Sequence, residues 1–171
     1  MDLYIRELKK LVSRVENFAL PQYVHNLELI DKLIAYLSDN GITVPSRYIS
    51  RLAGFNPWSY LNEVNNRVKA TKVAIRKIKA GKYKRPGVVF SNLYRSMENK
   101  PDELIDRVTT LVYQFENLLY GFLDEDRITS DNQFITIEDG AGEKLHDNLA
   151  KCEYSPYYVS LDELYERLKS L

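Results

Sequence analysis

The spacing of apolar residues predicts two helices in the first 40 residues. Apolar positions recur there at intervals of three and four, which is the period of one helix face. The first set is Tyr4, Leu8, Leu11, Val15 and Phe18, and the second is Leu27, Ile30, Leu33, Ile34 and Leu37. Pro21 predicts a short turn between the two helices, and Gly41 is a natural stop for the second. Residues 1–40 are therefore expected to form a helical hairpin.

Capping residues divide the next part of the chain into a short helix and a long one. The short helix, "SRYISRLAG", is predicted after Pro45, with Ser46 as its cap and Gly54 as its stop. Asn56 and Pro57 then supply a cap and a first-turn proline for the long helix. Its core-facing residues are Leu61, Val64, Val68, Thr71, Ile75 and Ile78.

A further helix and a second long helix follow. The segment "VVFSNLYRSMEN" is expected to be helical and to end before Pro101. The long helix is predicted to begin at Asp102 and to end at Gly121. Its apolar face consists of Leu104, Val108, Leu111, Phe115, Leu118 and Phe122.

The end of the chain combines a predicted β-hairpin with a last helix. The alternating segment "FITI" predicts a strand that pairs with "RIT" in a hairpin from Arg127 to Glu138. Ser160 is expected to cap the last helix, "SLDELYERLKSL", with Glu163 at the capping-box position. Its leucines are expected to dock inside the chain or on a second copy: Leu161, Leu164 and Leu168.

Together these patterns predict an all-α fold with six to eight helices and at most one small β-hairpin. A length of 171 residues is expected to form a single domain, 1–171. Within it we distinguish the helical hairpin 1–40, a segment 45–97 with a helix-turn-helix-like corner, and the acidic segment 98–171.

Charge is distributed very unevenly along a chain whose net charge is zero. Residues 1–63 carry seven Lys/Arg and seven Asp/Glu, so this part is neutral. Residues 64–97 carry ten Lys/Arg and no acid, and residues 98–171 carry seven Lys/Arg against seventeen acids. A segment of charge +10 favours a polyanionic partner, or else a contact with the acidic segment of charge −10.

The cations of residues 64–97 fall mainly outside the core-facing positions of the predicted long helix. They continue through the loop after it and define a predicted basic surface: Arg67, Lys69, Lys72, Arg76, Lys77, Lys79, Lys82, Lys84, Arg85 and Arg95. Phosphate contacts are expected from six of them, Lys72, Arg76, Lys79, Lys82, Lys84 and Arg85. Tyr83 and Tyr94 are candidates for stacking on unpaired bases, and the alternative for each is a half-buried core tyrosine.

The stretch "ISRLAGFNPWSYLNEV" has the order of a helix-turn-helix: short helix, glycine, apolar residue, polar cap, second helix. It resembles the second helix-turn-helix of AraC-type regulators at six positions, Gly54, Phe55, Asn56, Ser59, Tyr60 and Leu61. The resemblance covers about sixteen residues, and Leu61 replaces the usual aromatic residue. It implies DNA binding by the second helix, and the alternative is an ordinary helical corner.

A wider stretch is similar, in the order of its short helix, long helix, basic loop and aromatic-bearing helix, to helical DNA-binding domains of plasmid and phage replication initiators. The similar positions are Pro45, Tyr48, Ile49 and Leu52 in the short helix, and Lys84, Arg85, Pro86, Gly87, Phe90, Leu93 and Tyr94 further on. This resemblance implies DNA as the partner and a role in the replication of a mobile element.

The acidic segment does not favour phosphate contacts. Its helix, hairpin and last helix look like the end of a winged-helix domain, but the predicted wing is acidic and would repel phosphate. We therefore expect this part to be structural or to contact a protein partner or a second copy of the chain. The acids concerned are Asp124, Glu125, Asp126, Asp131, Glu138 and Asp139.

No motif predicts catalysis, a cofactor or a metal. His25 and His146 lack a local metal-binding pattern, and Cys152 is the single cysteine. The chain contains neither a phosphate-binding glycine loop nor a calcium loop. We expect a protein that is not an enzyme. No apolar run approaches the length of a membrane span, and a cytoplasmic location is expected.

Three classes of function follow from these patterns. The first is a DNA-binding protein of the regulator or replication-initiator type, with DNA preferred over RNA. The second is a small helical subunit of a larger nucleoprotein complex, similar to those of CRISPR effector complexes, that tracks a single strand. The third is a protein-interaction module without nucleic acid, whose acidic and basic segments contact each other or another chain.

Overall fold

The structure, a computed structural model, describes residues 1–124 and 134–171. Its helices are α1 (Asp2–Arg14), α2 (Leu20–Asp39), α3 (Ser46–Ala53), α4 (Pro57–Lys79), α5 (Pro86–Met97), α6 (Lys100–Leu123), α7 (Ala141–Lys151) and α8 (Leu161–Lys169). A π-helical segment, Val15–Ala19, joins α1 to α2, and the strands are β1 (Ile42–Thr43) and β2 (Thr136–Ile137). The mainly helical fold class is confirmed. No helix of the described part combines the length and the apolar character that crossing a bilayer requires.

The two strands form a small antiparallel sheet. Ile42 lies opposite Ile137 and Thr43 lies opposite Thr136, so "FITI" contributes one short strand and its partner is the segment after α2. The predicted partner "RIT" lies outside the described residues, as do Glu125, Asp126 and Asp131. Phe134 instead packs on α3, with its ring stacked 5.8 Å from that of Tyr48 and the Arg51 guanidinium 4.6 Å above it.

The predicted turn at Pro21 is wrong, because the helix continues past this residue. The N–H of Leu20 donates to the Val15 carbonyl, a bond five residues long that marks the wider π turn. A proline in a regular helix clashes with the carbonyl four residues before it, and a locally wider turn relieves this conflict. The same turn changes the buried face: Ala19 is buried, whereas Phe18 is 59% exposed.

Several predicted boundaries move by one or two residues. Ser46 is the first residue of α3 and Pro45 is its cap, so the predicted Ser46 cap is wrong. The stop at Gly54 is confirmed by its left-handed backbone, φ 82°. The start of α4 at Pro57 is also confirmed. The following long helix, α6, runs from Lys100 to Leu123 rather than from Asp102 to Gly121.

The core-facing positions are largely those that the apolar period predicts. In α4 all six predicted residues are buried except Leu61, which is half-buried. In α6 Leu119 is buried in place of Leu118, which is half-buried. In α1 Tyr4 is 56% exposed, because the buried face runs through its neighbour Ile5.

The described residues form two compact units, and α2 and α6 contribute residues to both. The first unit comprises residues 1–25 and 57–108, and the second comprises residues 26–56 and 109–171. The prediction of a single domain stays a prediction.

A buried polar network joins three helices of the first unit. The Tyr23 hydroxyl donates to the Pro57 carbonyl at 2.6 Å, and the Tyr60 hydroxyl donates to the Glu103 carboxylate at 2.8 Å. The Arg107 guanidinium lies 4.1 Å from the centre of the Tyr60 ring. Burial raises the pKa of Tyr60, and the bond to Glu103 raises it further. Burial opposes ionisation of Glu103, but the bonds from Tyr60 and Lys100 outweigh it and lower the pKa of Glu103.

In the second unit, the last helix docks within the chain. The Ser160 hydroxyl accepts a hydrogen bond from the Glu163 N–H at 3.2 Å, which confirms the predicted cap. Leu161, Leu164 and Leu168 are all buried, so the apolar face of α8 is covered inside the chain. This face is therefore not available to a second copy.

Candidate nucleic-acid interface

The outward side of α4 carries most of the basic surface. Lys69, Lys72, Arg76 and Lys79 follow one another at intervals of three and four, which places them along one side of the helix. All four are exposed, and so is Lys77. Arg67 is half-buried and pairs with Glu63 one turn before it, at 3.4 Å. The helix therefore presents a row of cations whose positions are fixed by the buried face behind them.

The loop after α4 begins with a defined C-terminal cap. The N–H of Lys82 donates to the Lys77 carbonyl and the N–H of Gly81 donates to the Ile78 carbonyl, at 3.0 and 3.1 Å. This pair of bonds is the Schellman motif, and it requires the left-handed backbone that Gly81 adopts at φ 70°. Lys77 and Lys79 lie in the last turn, where cations are favoured by the helix dipole. The cap fixes the direction in which the basic loop leaves the helix.

Tyr83 anchors the middle of this loop. It is half-buried and packs against a cluster formed by Ile5, Leu8, Ile75 and Ile78, as do Val89, Phe90 and Leu93 of α5. Lys82 and Lys84, on either side of Tyr83, are exposed, and Arg85 precedes the first-turn proline of α5. Tyr83 is thus a half-buried core tyrosine, which was the alternative to base stacking. Its stacking on a base stays a prediction.

Within the described residues of the first unit, most cations of the basic surface have no acidic partner. Arg67 pairs with Glu63, and Lys72 pairs with Glu16 of the π-helical segment. Among the described residues of the first unit, no carboxylate forms an ion pair with the other eight: Lys69, Arg76, Lys77, Lys79, Lys82, Lys84, Arg85 and Arg95. In α6, Glu103 forms its ion pairs with Lys100 and Arg107 instead. The described residues of the first unit therefore leave most cations of the basic surface without an ion pair.

Three neighbouring aromatic rings come from α1 and α5: Tyr4 belongs to α1, and Phe90 and Tyr94 belong to α5. The ring centre of Tyr4 is 5.4 Å from that of Phe90, and Phe90 is 5.9 Å from Tyr94. Tyr4 and Tyr94 are exposed, by 56% and 37%, and Phe90 is half-buried. We call these three residues the aromatic row. Only Tyr94 was predicted from the sequence, because the helical period assigned Tyr4 to the core and gave no sign that Phe90 approaches it.

A groove between α1 and α4 adds a cation that the sequence did not indicate. Its volume is about 320 Å³, and the first helical stretch contributes Lys9, Val12, Ser13, Glu16 and Asn17. The α4 side contributes Lys72, Ile75, Arg76 and Lys79. We call it the α1/α4 groove. Lys9 was missed because it lies in a part of the sequence where cations and acids balance, and only the fold brings it to Lys79.

The residues that resemble a helix-turn-helix have mixed accessibility. Asn56 and Ser59 are exposed, Phe55 is half-buried, and Tyr60 is buried with its hydroxyl bonded to Glu103. Tyr60 is therefore occupied in the core of the first unit. The helix-turn-helix itself stays a prediction, since α3 belongs to the second unit and α4 to the first.

Other reactive groups are in structural positions. The Nδ1 atom of His146 lies 2.8 Å from the Phe122 carbonyl. Cys152 is buried, and burial raises the pKa of its thiol against the opposing charge of Arg167. In the described part of the chain, no three His, Cys, Asp or Glu residues are grouped as metal ligands would be. Comparison of the chain with protein-family models, curated proteins and solved structures finds no match.

Proposed function

We propose that the protein binds nucleic acid, with DNA preferred over RNA, through the basic surface of α4, the following loop and α5. The observation that supports this most is the concentration of exposed cations, eight of which have no ion-pair partner among the described residues of the first unit. A solvated helix normally interleaves acids at the neighbouring turn, which lowers the repulsion between its cations. A phosphate backbone supplies the missing negative charge, and the release of its condensed counterions drives binding.

The spacing of the cations suits such a backbone. From Lys69 to Lys79 the α4 axis rises about 15 Å, at roughly 1.5 Å per residue. This length corresponds to about four phosphates of one strand in a duplex, at roughly 3.4 Å each along the axis. Lys82, Lys84 and Arg85 extend the contact beyond the end of the helix. Phosphate contacts of this kind position a nucleic acid without reading its sequence.

The finer proposal is a regulator or replication-initiator protein of a mobile element, and it rests on the two sequence resemblances. A second candidate is a helical subunit that tracks a single strand in a larger nucleoprotein complex. The aromatic row favours this candidate, because exposed rings beside cations provide stacking positions that only unpaired bases can use.

The proposal predicts that charge on α4 matters and that charge elsewhere does not. We expect Lys69→Gln combined with Lys77→Gln to lower oligonucleotide affinity at low salt by about fivefold, since each change removes one cation of the basic surface and an exposed ionic interaction is worth up to about 1 kcal/mol. The measurement is fluorescence anisotropy with one labelled oligonucleotide, as single strand and as duplex.

The matched control changes two exposed lysines of α7, Lys144→Gln combined with Lys151→Gln. This variant has the same loss of net charge and should bind as the parent does. Equal weakening by both double variants would show that only the net charge matters, and the interface proposed on α4 would then be wrong. A preference for the single strand would select the second candidate over the first.

A further inference from the structure

The α1/α4 groove combines a nonpolar floor with a cationic rim. Val12 and Ile75 form the floor and are 5% and 4% exposed. Lys9, Lys72, Arg76 and Lys79 surround it, with Glu16 as the one acid among the lining residues. Ser13 and Asn17 add hydrogen-bonding groups on the α1 side, and the Asn17 amide donates to the Ser13 hydroxyl at 2.9 Å. A ligand that fits must therefore carry both negative charge and a nonpolar surface.

Two cations lie at one end of this groove. Lys9 and Lys79 both line it, and the Lys79 ammonium beside Lys9 lowers the pKa of Lys9. Like charges in contact are unfavourable unless an anion lies between them. In the described part of the chain, neither lysine forms an ion pair with a carboxylate. The pair is thus a position where a phosphate would remove an existing repulsion.

The other end of the groove contains the π-helical segment. Glu16 and Asn17 belong to it, and Glu16 pairs across the groove with Lys72. Single π turns inside α-helices occur frequently at functional sites. Here the wider turn carries the acid that neutralises one of the four rim cations. The negative charge of Glu16 opposes the entry of an anion into the groove.

We propose that the α1/α4 groove binds one unpaired nucleotide of the nucleic-acid strand, with its phosphate between Lys9 and Lys79 and its base or sugar on Val12 and Ile75. The proposal rests on the proposed nucleic-acid function and adds a site to it. A volume of about 320 Å³ is at the small end of the range for ligand pockets, roughly 300–1,000 Å³, and suits one nucleotide rather than a longer stretch. Duplex DNA keeps its bases stacked inside, so the groove accepts only unpaired residues.

Thymidine 5′-monophosphate and inorganic phosphate are suitable probes, because they separate the contribution of the floor from that of the rim. We expect the mononucleotide to shift the methyl resonances of Val12 and Ile75 in ¹H–¹³C NMR spectra, and to leave those of Val64, a buried α4 residue outside the groove, unchanged. Inorganic phosphate should bind more weakly than the mononucleotide, since it makes no contact with the floor.

Variants of the rim should change the affinity for the mononucleotide in opposite directions. Lys9→Gln and Lys79→Gln should each lower it by roughly tenfold, the effect of losing one charge-assisted hydrogen bond. Glu16→Gln should raise it, because the loss of the one acid among the lining residues makes the groove more positive. Lys77→Gln, on the same helix but outside the groove, should leave it unchanged while it weakens oligonucleotide binding.

Three results would overturn the inference. The first is that oligonucleotides bind but the mononucleotide shifts neither Val12 nor Ile75, in which case the nucleic-acid function stands and the groove is not part of it. The second is that phosphate and mononucleotide bind equally, which would leave an anion site without nucleotide recognition. The third is that no nucleic acid binds at all, and the proposed function then fails together with the groove. Circular dichroism of each variant verifies that it is folded.

Discussion

Replacing Lys82, Lys84 and Arg85 with alanine is expected to lower the affinity for oligonucleotides by about tenfold to a hundredfold at low salt. The three side chains are exposed and have no acidic partner among the described residues of the first unit. Each phosphate contact releases roughly 0.9 counterion on duplex DNA or about 0.7 on a single strand. The slope of log K against log salt should therefore become shallower by about two to three units. Anisotropy titrations at several salt concentrations measure both quantities.

A charge-conserving variant is the control for this prediction. Lys82→Arg, Lys84→Arg and Arg85→Lys together keep three cations in the loop, and the slope should stay that of the parent. The alanine variant is expected to keep its fold, since Tyr83, which anchors the loop, is unchanged. An unchanged slope in the alanine variant would show that the loop does not contact phosphate.

Leu8→Ala is expected to destabilise the protein by about 3 kcal/mol or more, within the range of roughly 2–5 kcal/mol for Leu→Ala in a core. Leu8 is fully buried in the cluster with Ile5, Ile75 and Ile78, on which Tyr83 and α5 also pack. The cavity left by the missing atoms removes contacts from α1, α4 and α5 at the same time. Urea denaturation followed by circular dichroism measures the change in the free energy of unfolding.

The matched control is Leu3→Ala on the same helix. Leu3 is 64% exposed, so its loss should change the free energy of unfolding by only about 0.5 kcal/mol or less. If the two variants were equally stable, the cluster that positions the basic loop would not be the one described.

The sequence predicted the helices well because their apolar period is strong and their ends carry glycine and proline signals. Gly54 and Pro57 marked real boundaries. Pro21 was misleading, because a proline signals a helix end from the sequence alone and only the neighbouring backbone shows that a π turn accommodates it. Phe18 was wrongly assigned to the core because a fixed period ignores the extra residue of the π turn. Tyr4 was wrongly assigned because the period does not show that the buried face of α1 runs through Ile5.

The cations of the candidate site were predictable from the sequence, whereas its aromatic row and its groove were not. Ten cations without an acid in residues 64–97 are visible in the sequence, and the structure leaves most of them exposed. The aromatic row and the α1/α4 groove depend on contacts between helices that are far apart in the chain. Lys9 lines the same groove as Lys79, and the ring of Tyr4 contacts that of Phe90; local spacing implies neither pair.

The salt dependence of binding by the unmodified protein tests the central claim most directly. If the six predicted phosphate contacts form, log K should fall against log salt with a slope of about −5 on duplex DNA or about −4 on a single strand. Binding at low salt with such a slope is the result that the nucleic-acid function predicts. The absence of binding at low salt, or an affinity that does not change with salt, would contradict it and assign the basic surface to a protein partner.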